Sequence, residues 1–131
     1  LEKLKQDSRK TIREIAKELG LRPSTVHQRI TKLREVGVIE KFTIKTNNKA
    51  NGENFIVLML VLTEGAIIPQ AAFRDSHIKE VFGITGEYDL MIKMKFLDVE
   101  EFNKFILDFR KKYSLRKTVT MVVTIDLKEE I

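Results

Sequence analysis

The stretch GLRPSTVHQRI, from Gly20 to Ile30, gathers hydrogen-bonding side chains at the start of a predicted helix. Pro23 suits a first helical position, because its φ is preset and it has no N–H to leave unsatisfied. The polar side chains that follow it are Ser24, Thr25, His27 and Gln28. A glutamine can bond N6 and N7 of adenine together, and small hydroxyls can serve several base edges. The stretch therefore predicts a helix tip that contacts bases in the major groove of DNA.

Helical periodicity separates these side chains from the apolar ones. Successive residues of a helix are 100° apart, so Val26, Ile30 and Leu33 form one stripe. Ser24, Gln28 and Thr31 lie on the opposite side, away from a core. An ordinary solvated helix face would show the same pattern, so the elements before Pro23 have to decide between the two interpretations.

The residues before Pro23 predict a second short helix. In TIRE, Thr11 occupies the N-cap and Glu14 the third helical position, which is a capping box. Gly20 fits a left-handed C-cap at the end of that helix. Two short helices joined by a turn of about four residues are typical of a helix-turn-helix, whose second helix enters the major groove.

The positive charge is concentrated in the same part of the chain. The net charge is +5; residues 1–46 hold 12 Lys and Arg against 6 Asp and Glu, whereas residues 47–131 hold 12 against 13. The predicted phosphate contacts are Arg13, Arg22, Arg29, Lys32 and Arg34. A chance imbalance on a solvated surface is the alternative; a basic amino-terminal third beside a near-neutral remainder is what a DNA-binding head requires.

The sequence gives little support for a catalytic site, a metal site or a membrane span. There is no Cys, and His27 and His77 are the only histidines, without further ligands at helical spacing from His27. No acid–base constellation or Gly-rich phosphate loop is evident, so we expect no enzyme, no metal and no cofactor. The longest apolar run, FIVLMLVL, has eight residues, too few for a membrane span. These features, with the absence of Cys, predict a cytoplasmic protein.

The remainder of the chain predicts a β-α-β-β-α-β order. The expected elements are strands at residues 55–63, 78–85, 88–96 and 118–127 and helices at 67–76 and 98–113. We expect an α+β protein: a helix-turn-helix domain at 1–41, a linking strand and turn at 42–53, and a ferredoxin-like domain at 54–131. The linking strand covers EKFTIKT, residues 40–46, and NNKANGEN is the turn.

Alternation predicts which side chains share a face in these elements. In the second strand Ile78, Glu80, Phe82 and Ile84 are expected on one side, and in the third strand Leu90, Ile92, Met94 and Phe96. In the last strand the expected set is Val119, Met121, Val123, Ile125 and Leu127. Asp98 is expected to cap the last helix, with Glu101 at the third helical position. The expected apolar stripe of that helix is Val99, Phe102, Ile106, Phe109 and Tyr113. The first strand is apolar on both faces, which a sheet with one solvated face does not require. A second copy of the same sheet would cover the other face, so we expect a symmetric homodimer.

TGEYDL, from Thr85 to Leu90, permits two interpretations. It joins two predicted strands, and Gly86 can adopt a positive φ in a tight hairpin whose Asp89 caps the turn. Alternatively, backbone N–H groups and Asp89 could hold a zwitterionic small molecule. Composition alone favours the turn.

Three ordered segments resemble the Lrp/AsnC family, the leucine-responsive or feast/famine transcription regulators. REIAKELGLRPSTVHQRITKLREVGVIEKFT resembles its DNA-binding head, ITGEYDLMIKMK its G-[DE]-Y-D strand turn, and TVTMVV the T-x-T opening of its last strand. Arg22 stands where the family usually has a serine N-cap, and Asn47-Asn48 where it has Asp-Pro.

The resemblance implies a regulator of transcription that binds double-stranded DNA, dimerises through its sheets and assembles into octamers or other higher forms. It also implies an amino-acid effector, and the positions that match the family's motifs are Gly86, Tyr88, Asp89, Thr118 and Thr120. The alternative is a metabolite-sensing oligomer that acts through protein contacts without DNA. RNA binding is less favoured, because LMIKMKF lacks the exposed aromatics of a Gly-Phe-rich motif.

Overall fold

The computed structural model describes residues 1–65 and 68–130. The chain divides into two units, Leu1–Lys45 and Thr46–Ile131, and each has its own hydrophobic core. None of the helices in the described residues is long and apolar enough to cross a membrane.

The first unit contains three helices: α1 (Glu2–Gln6), α2 (Ile12–Leu19) and α3 (Pro23–Glu35). The capping box predicted at Thr11 and Glu14 is confirmed, and so is the left-handed C-cap at Gly20, with φ 65° and ψ 31°. The buried residues are Ile15, Ala16 and Val26, with Leu4, Ile12, Leu21 and Ile30 packed around them. This small core fixes α3 against α2 through the apolar stripe of α3.

The second unit contains a four-stranded antiparallel sheet and two helical segments. The strands are β1 (Phe55–Leu62), β2 (Ile78–Gly83), β3 (Leu90–Phe96) and β4 (Lys117–Val122), in the order β2-β3-β1-β4. A 3-10 helix (Gln70–Arg74) precedes β2, and α4 (Val99–Lys112) joins β3 to β4. The predicted α+β class is confirmed.

One face of the sheet carries the core. Its fully buried side chains are Val57, Met59, Val61, Ile92, Met94 and Phe96, which pack against Phe102, Ile106 and Phe109 of α4. The predicted alternation of β3 is confirmed by these contacts. Asp98 caps α4 as predicted, since its side chain accepts a hydrogen bond from the Glu101 N–H.

The strand predicted over residues 40–46 is not observed among the described residues. A strand needs a hydrogen-bonding neighbour, and no other described strand pairs with this segment. The helix predicted over 67–76 is reduced to the 3-10 helix Gln70–Arg74, and Ile67 lies outside the described residues. Pro69 precedes that helix in an extended conformation, which sets its start.

The predicted face of β2 was wrong beyond Ile78. A register irregularity between Ile78 and Glu80 changes the alternation, so that Val81 pairs with Ile92 and packs on the core. Phe82 is instead 48% exposed on the other face. An inserted residue at a β-bulge reverses the alternation that follows it.

Two further side-chain predictions were wrong. Val99 is exposed, because it occupies the first turn of α4, ahead of the residues that reach the sheet. The last strand ends at Val122, so Ile125 and Leu127 do not continue it and are exposed.

Candidate DNA-binding surface and sheet-end site

The amino end of α3 presents the polar side chains that the sequence predicted. Pro23 is the first helical residue, and the N–H groups of Thr25 and Val26 donate to the Arg22 carbonyl at 3.0 and 3.2 Å. Val26 is only 3% exposed and anchors this turn. Ser24, His27 and Gln28 are exposed and Thr25 is half-buried. The first turn of α3 is thus anchored by buried Val26, while Ser24, His27 and Gln28 face solvent.

The cations predicted to contact phosphate are also placed at the surface. Arg13, Arg22, Arg29, Lys32 and Arg34 are all exposed. Within the described part of the chain, none of these five side chains forms an ion pair. Other cations of this unit are paired, since Glu18 binds Lys3 at 3.0 Å and Lys10 at 2.6 Å. Hydrogen bonds from Lys10 and then Lys3 lower the pKa of Glu18.

The absence of a capping side chain distinguishes the start of α3 from that of α2. Arg22 is the N-cap residue, with extended φ −75° and ψ 143°, and its side chain makes no capping bond to any described residue. A cation near the positive end of a helix is electrostatically unfavourable for folding. The same cation is favourable beside a phosphate backbone.

The sheet order brings the TGEYD turn and the start of β4 to the same end of the sheet. Val61, near the end of β1, pairs with Leu90 of β3 on one side and with Thr118 of β4 on the other. Gly86 has φ 112°, so the turn uses the backbone freedom that only glycine readily supplies. Gly86 is exposed and Tyr88 half-buried.

Asp89 is engaged within the chain. Its carboxylate accepts hydrogen bonds from the N–H and the hydroxyl of Thr63, both at 2.7 Å. The side-chain bond and then the backbone bond from Thr63 lower the pKa of Asp89. The Asp89 N–H also donates to the Val61 carbonyl at 2.8 Å. The Asp89 side chain therefore ties the start of β3 to the residue after β1, instead of capping the TGEYD turn as the turn interpretation expected.

Basic side chains lie beside Thr118 and Tyr88 at this end of the sheet. The Thr118 hydroxyl accepts a hydrogen bond from Arg110 of α4 at 3.0 Å, and Thr120 is exposed two residues further along β4. The Lys117 ammonium lies 5.5 Å from the centre of the Tyr88 ring, and Arg116 is paired with Glu64. Arg110 and Lys117 thus place positive charge next to Thr118 and Tyr88.

Sequence reasoning missed Thr63, Arg110 and Lys117. Each contacts a residue of another segment. Thr63 is 26 residues before Asp89 in the sequence, and Arg110 of α4 is 8 residues before Thr118 of β4. No local spacing pattern signals such contacts. Only the pairing of β1 with both neighbours, once known, brings these positions together.

His77 was also missed as a structural residue. Its Nδ1 lies 2.8 Å from the Asp75 carboxylate and its Nε2 2.7 Å from the Glu101 carboxylate, and its ring stacks on Phe96 at 4.8 Å. Burial lowers the pKa of His77, but the hydrogen bonds with Glu101 and Asp75 outweigh it and raise the pKa above its usual value. No group of metal-ligating side chains is found among the residues that the structure describes.

Comparison with known proteins agrees with this geometry. Residues 1–40 match the winged helix-turn-helix DNA-binding family, and residues 72–131 match the Lrp/AsnC ligand binding domain. An uncharacterized HTH-type transcriptional regulator from Pyrococcus horikoshii is 37% identical over 139 residues, covering 100% of this chain and 92% of that protein.

Two solved structures share the fold. E. coli AsnC superposes with a TM-score of 0.86 and 21% identity, covering 100% of this chain and 91% of that chain. A feast or famine regulatory protein from M. tuberculosis, complexed with L-methionine, has a TM-score of 0.87 and 17% identity and covers 98% of this chain and 90% of that chain.

The two family matches and the curated relative define a DNA-binding transcription regulator rather than an enzyme. Its second unit has the four-stranded antiparallel sheet found in structures of this class. The chain belongs to the Lrp/AsnC family, as the sequence resemblance indicated.

Proposed function

We propose that this regulator is sequence-specific and that the amino end of α3 reads the bases. The observation that carries the proposal is the division of α3 into a buried anchor, Val26, and an exposed edge formed by Ser24, His27 and Gln28. Thr25 completes that edge from a half-buried position. Arg13, Arg22, Arg29, Lys32 and Arg34 would contact phosphate and give a steep salt dependence.

The test separates base contacts from phosphate contacts. Gln28→Ala should weaken binding to a selected operator by about 5- to 150-fold and leave binding to random DNA unchanged, because a bidentate base contact contributes about 1–3 kcal/mol of discrimination. Lys32→Ala should weaken both DNAs alike and reduce the salt slope by about one. Fluorescence anisotropy with both duplexes at several salt concentrations measures these quantities.

Gln28→Ala and Lys32→Ala serve as matched controls for each other, since both residues are exposed on the same helix. Equal losses on operator and random DNA for Gln28→Ala would contradict the base-reading role. Operator half-sites should be about 34 Å apart, one helical turn, if two copies bind together.

We also propose that an amino acid binds at the sheet end formed by Gly86, Tyr88, Thr118 and Thr120. The methionine bound by the M. tuberculosis relative supports this ligand class. The cations Arg110 and Lys117 beside Thr118 and Tyr88 suit the carboxylate of such a ligand. Asp89 would act by holding the strand end through Thr63, and its carboxylate has lone pairs left for an ammonium group.

Finally, we propose a homodimer formed through the sheet face opposite α4, with assembly to octamers or other higher forms. Leu58 and Leu60 of β1, Met91 of β3 and Val119 of β4 are half-buried on that face, and Phe82 and Met121 are exposed there. Such an apolar face on a sheet marks a protein contact. Sedimentation equilibrium at micromolar concentration tests it, and a monomer throughout would refute it.

A further inference from the structure

The sheet face opposite α4, here called the outward face, carries charge at its centre. Directly opposed residues of antiparallel strands share a face, so the strand registers give its rows. One row contains Phe82, Met91, Leu60 and Val119, and the next contains Glu80, Lys93, Leu58 and Met121. Lys95 follows opposite Ile56. Because β3 and β1 are the two central strands, any partner that covers the outward face also covers Lys93.

The residues after β4 neutralise these lysines. The Glu129 carboxylate lies 2.6 Å from the Lys93 ammonium and 2.9 Å from the Lys95 ammonium. Lys93 also pairs with Glu80 at 3.4 Å, whereas Glu129 is the one carboxylate that pairs with Lys95 within the described residues. The side chains of Lys93, Lys95 and Glu129 are only 18%, 11% and 16% exposed.

The turn after the first unit completes this cluster. The Asn48 side-chain oxygen accepts a hydrogen bond from Lys95 at 2.8 Å, and its amide donates to Asp126 at 3.3 Å and to Glu129 at 3.4 Å. Hydrogen bonds from Lys93 and then Lys95 lower the pKa of Glu129 to about 2, so it is ionised at any physiological pH. Glu80 and Glu129 therefore balance the charges of Lys93 and Lys95 at the centre of the face, while, within the described residues, the exposed Asp126 contacts the Asn48 amide and neither lysine.

We infer that Glu129 is an interface determinant: by neutralising Lys93 and Lys95 it allows the outward face to be buried against a second copy of this chain. The inference rests on the homodimer proposed above. A partner of opposite charge would need a charged face, but a copy of the same chain carries the same charge. If the face carried a net charge, two copies of it would bury charges of the same sign without partners of opposite sign. Burying an unpaired charge is strongly destabilising, so the face has to be neutral to be buried against its own copy.

The test is sedimentation equilibrium of the full chain with Glu129→Gln and, as a matched control, Glu130→Gln. Glu130 is adjacent and exposed, and its substitution makes the same change in net charge. We expect E129Q to weaken the dimer by at least about tenfold, because each copy then buries one uncompensated cation. E130Q should stay within about threefold of the unsubstituted chain. Raising the salt concentration should recover part of the loss in E129Q only.

A second substitution separates neutralisation from mere folding. Adding Lys95→Met to E129Q removes the cation together with its partner, so dimerisation should return to within about threefold of the unsubstituted chain. Far-ultraviolet circular dichroism establishes that each variant is folded. If E129Q alone does not fold, the double variant decides: a dimer supports the inference and a monomer overturns it.

The outcomes distinguish the two proposals. A monomeric unsubstituted chain refutes the homodimer itself and this inference with it. A dimeric unsubstituted chain with equal dissociation constants for E129Q and E130Q overturns only the role of Glu129.

Discussion

His77 shows how one side chain can couple protonation to folding in the second unit. Both ring nitrogens face carboxylates, Asp75 before β2 and Glu101 in the first turn of α4. A neutral imidazole has one N–H, so it can donate to only one of them, whereas the imidazolium donates to both. The cation therefore bridges the start of β2 and the start of α4.

The pH dependence of stability follows from the direction of the pKa shift. Because the pKa of His77 is raised on folding, its contribution is fully present below the unfolded pKa of about 6.5 and is lost as pH rises through the folded pKa. His77→Gln should lower the free energy of unfolding at pH 6 by about 1 kcal/mol, a modest value because both carboxylates are partly exposed. The difference between the two proteins should shrink above neutral pH.

Urea unfolding at pH 6 and pH 9 measures this difference, and His27→Gln, which alters the exposed histidine of α3, is the control. Parallel pH profiles for the unsubstituted chain and His77→Gln would contradict the prediction.

At the residue scale, local sequence patterns predicted side-chain positions correctly where the contacts are between residues close in sequence. The 100° spacing predicted that Val26 would be inside and Gln28 outside, and both are so placed. His77 gave no signal, because its partner Glu101 lies 24 residues away in another element. The Thr63–Asp89 contact escaped for the same reason.

Among the elements, α2 and α3 differ in their N-caps, because only α2 has a side-chain capping bond within the described residues. Thr11 accepts a hydrogen bond from the Glu14 N–H at 3.2 Å and Glu14 returns one to the Thr11 N–H at 2.7 Å. Arg22 has cap-like backbone angles but no comparable side-chain bond to described residues. The sequence alone predicted this loss, because arginine cannot act as a hydrogen-bond acceptor.

Arg22→Ser should therefore stabilise the first unit while weakening DNA binding. A serine N-cap contributes about 0.5–2 kcal/mol relative to a residue that cannot cap, so the free energy of unfolding should rise by about 1 kcal/mol. If Arg22 contacts phosphate as proposed, its loss should reduce the salt slope for DNA by about one. Chemical unfolding and DNA titration across salt concentrations measure the two effects.

Arg22→Ala provides the control, since it removes the charge without supplying a cap. Equal stability of the serine and alanine variants would show that the α3 cap position is indifferent to its side chain.

Elements were predictable where their pattern is local, and not where it depends on a partner. Capping residues fixed α2 and α4 closely, and alternation fixed β3. The β2 irregularity reversed its face, because a bulge changes the pairing without leaving a mark in the amino-acid types. The EKFTIKT segment has a strand pattern, yet a strand forms only when another backbone pairs with it.

The whole molecule separates charge and ligand chemistry into different units. The basic excess lies in residues 1–46, whereas the candidate amino-acid site lies in the second unit at the sheet end. Composition was enough to predict where the positive charge lies, because the excess of Lys and Arg is confined to the first part of the chain, whereas the ligand site was implied only by the family resemblance. It could not identify Arg110 and Lys117 as neighbours of Thr118 and Tyr88, since strand pairing and helix return bring them together.

If the sheet-end site binds an amino acid and that binding regulates transcription, the binding of the amino acid and the binding of operator DNA must be thermodynamically linked. Screening the twenty amino acids by thermal shift should identify one that raises the Tm as its concentration increases. At 100 times its Kd, that amino acid should raise the free energy of unfolding by about 2.7 kcal/mol. Thr118→Val should abolish that shift, because it removes the hydroxyl beside Arg110 while keeping the size of the side chain. Thr124→Val, which alters an exposed threonine beyond β4, should keep it.

The same amino acid should then change the affinity for operator DNA by some factor, and operator DNA must change the affinity for the amino acid by that identical factor. Calorimetric titration of the amino acid with and without operator measures one side of the cycle, and DNA titration with and without the amino acid measures the other. Coupling of this kind is typically 5- to 150-fold. An amino acid that binds with equal affinity to free and operator-bound protein would be a stabilising ligand without a regulatory role, because equal affinity for two states cannot shift the balance between them.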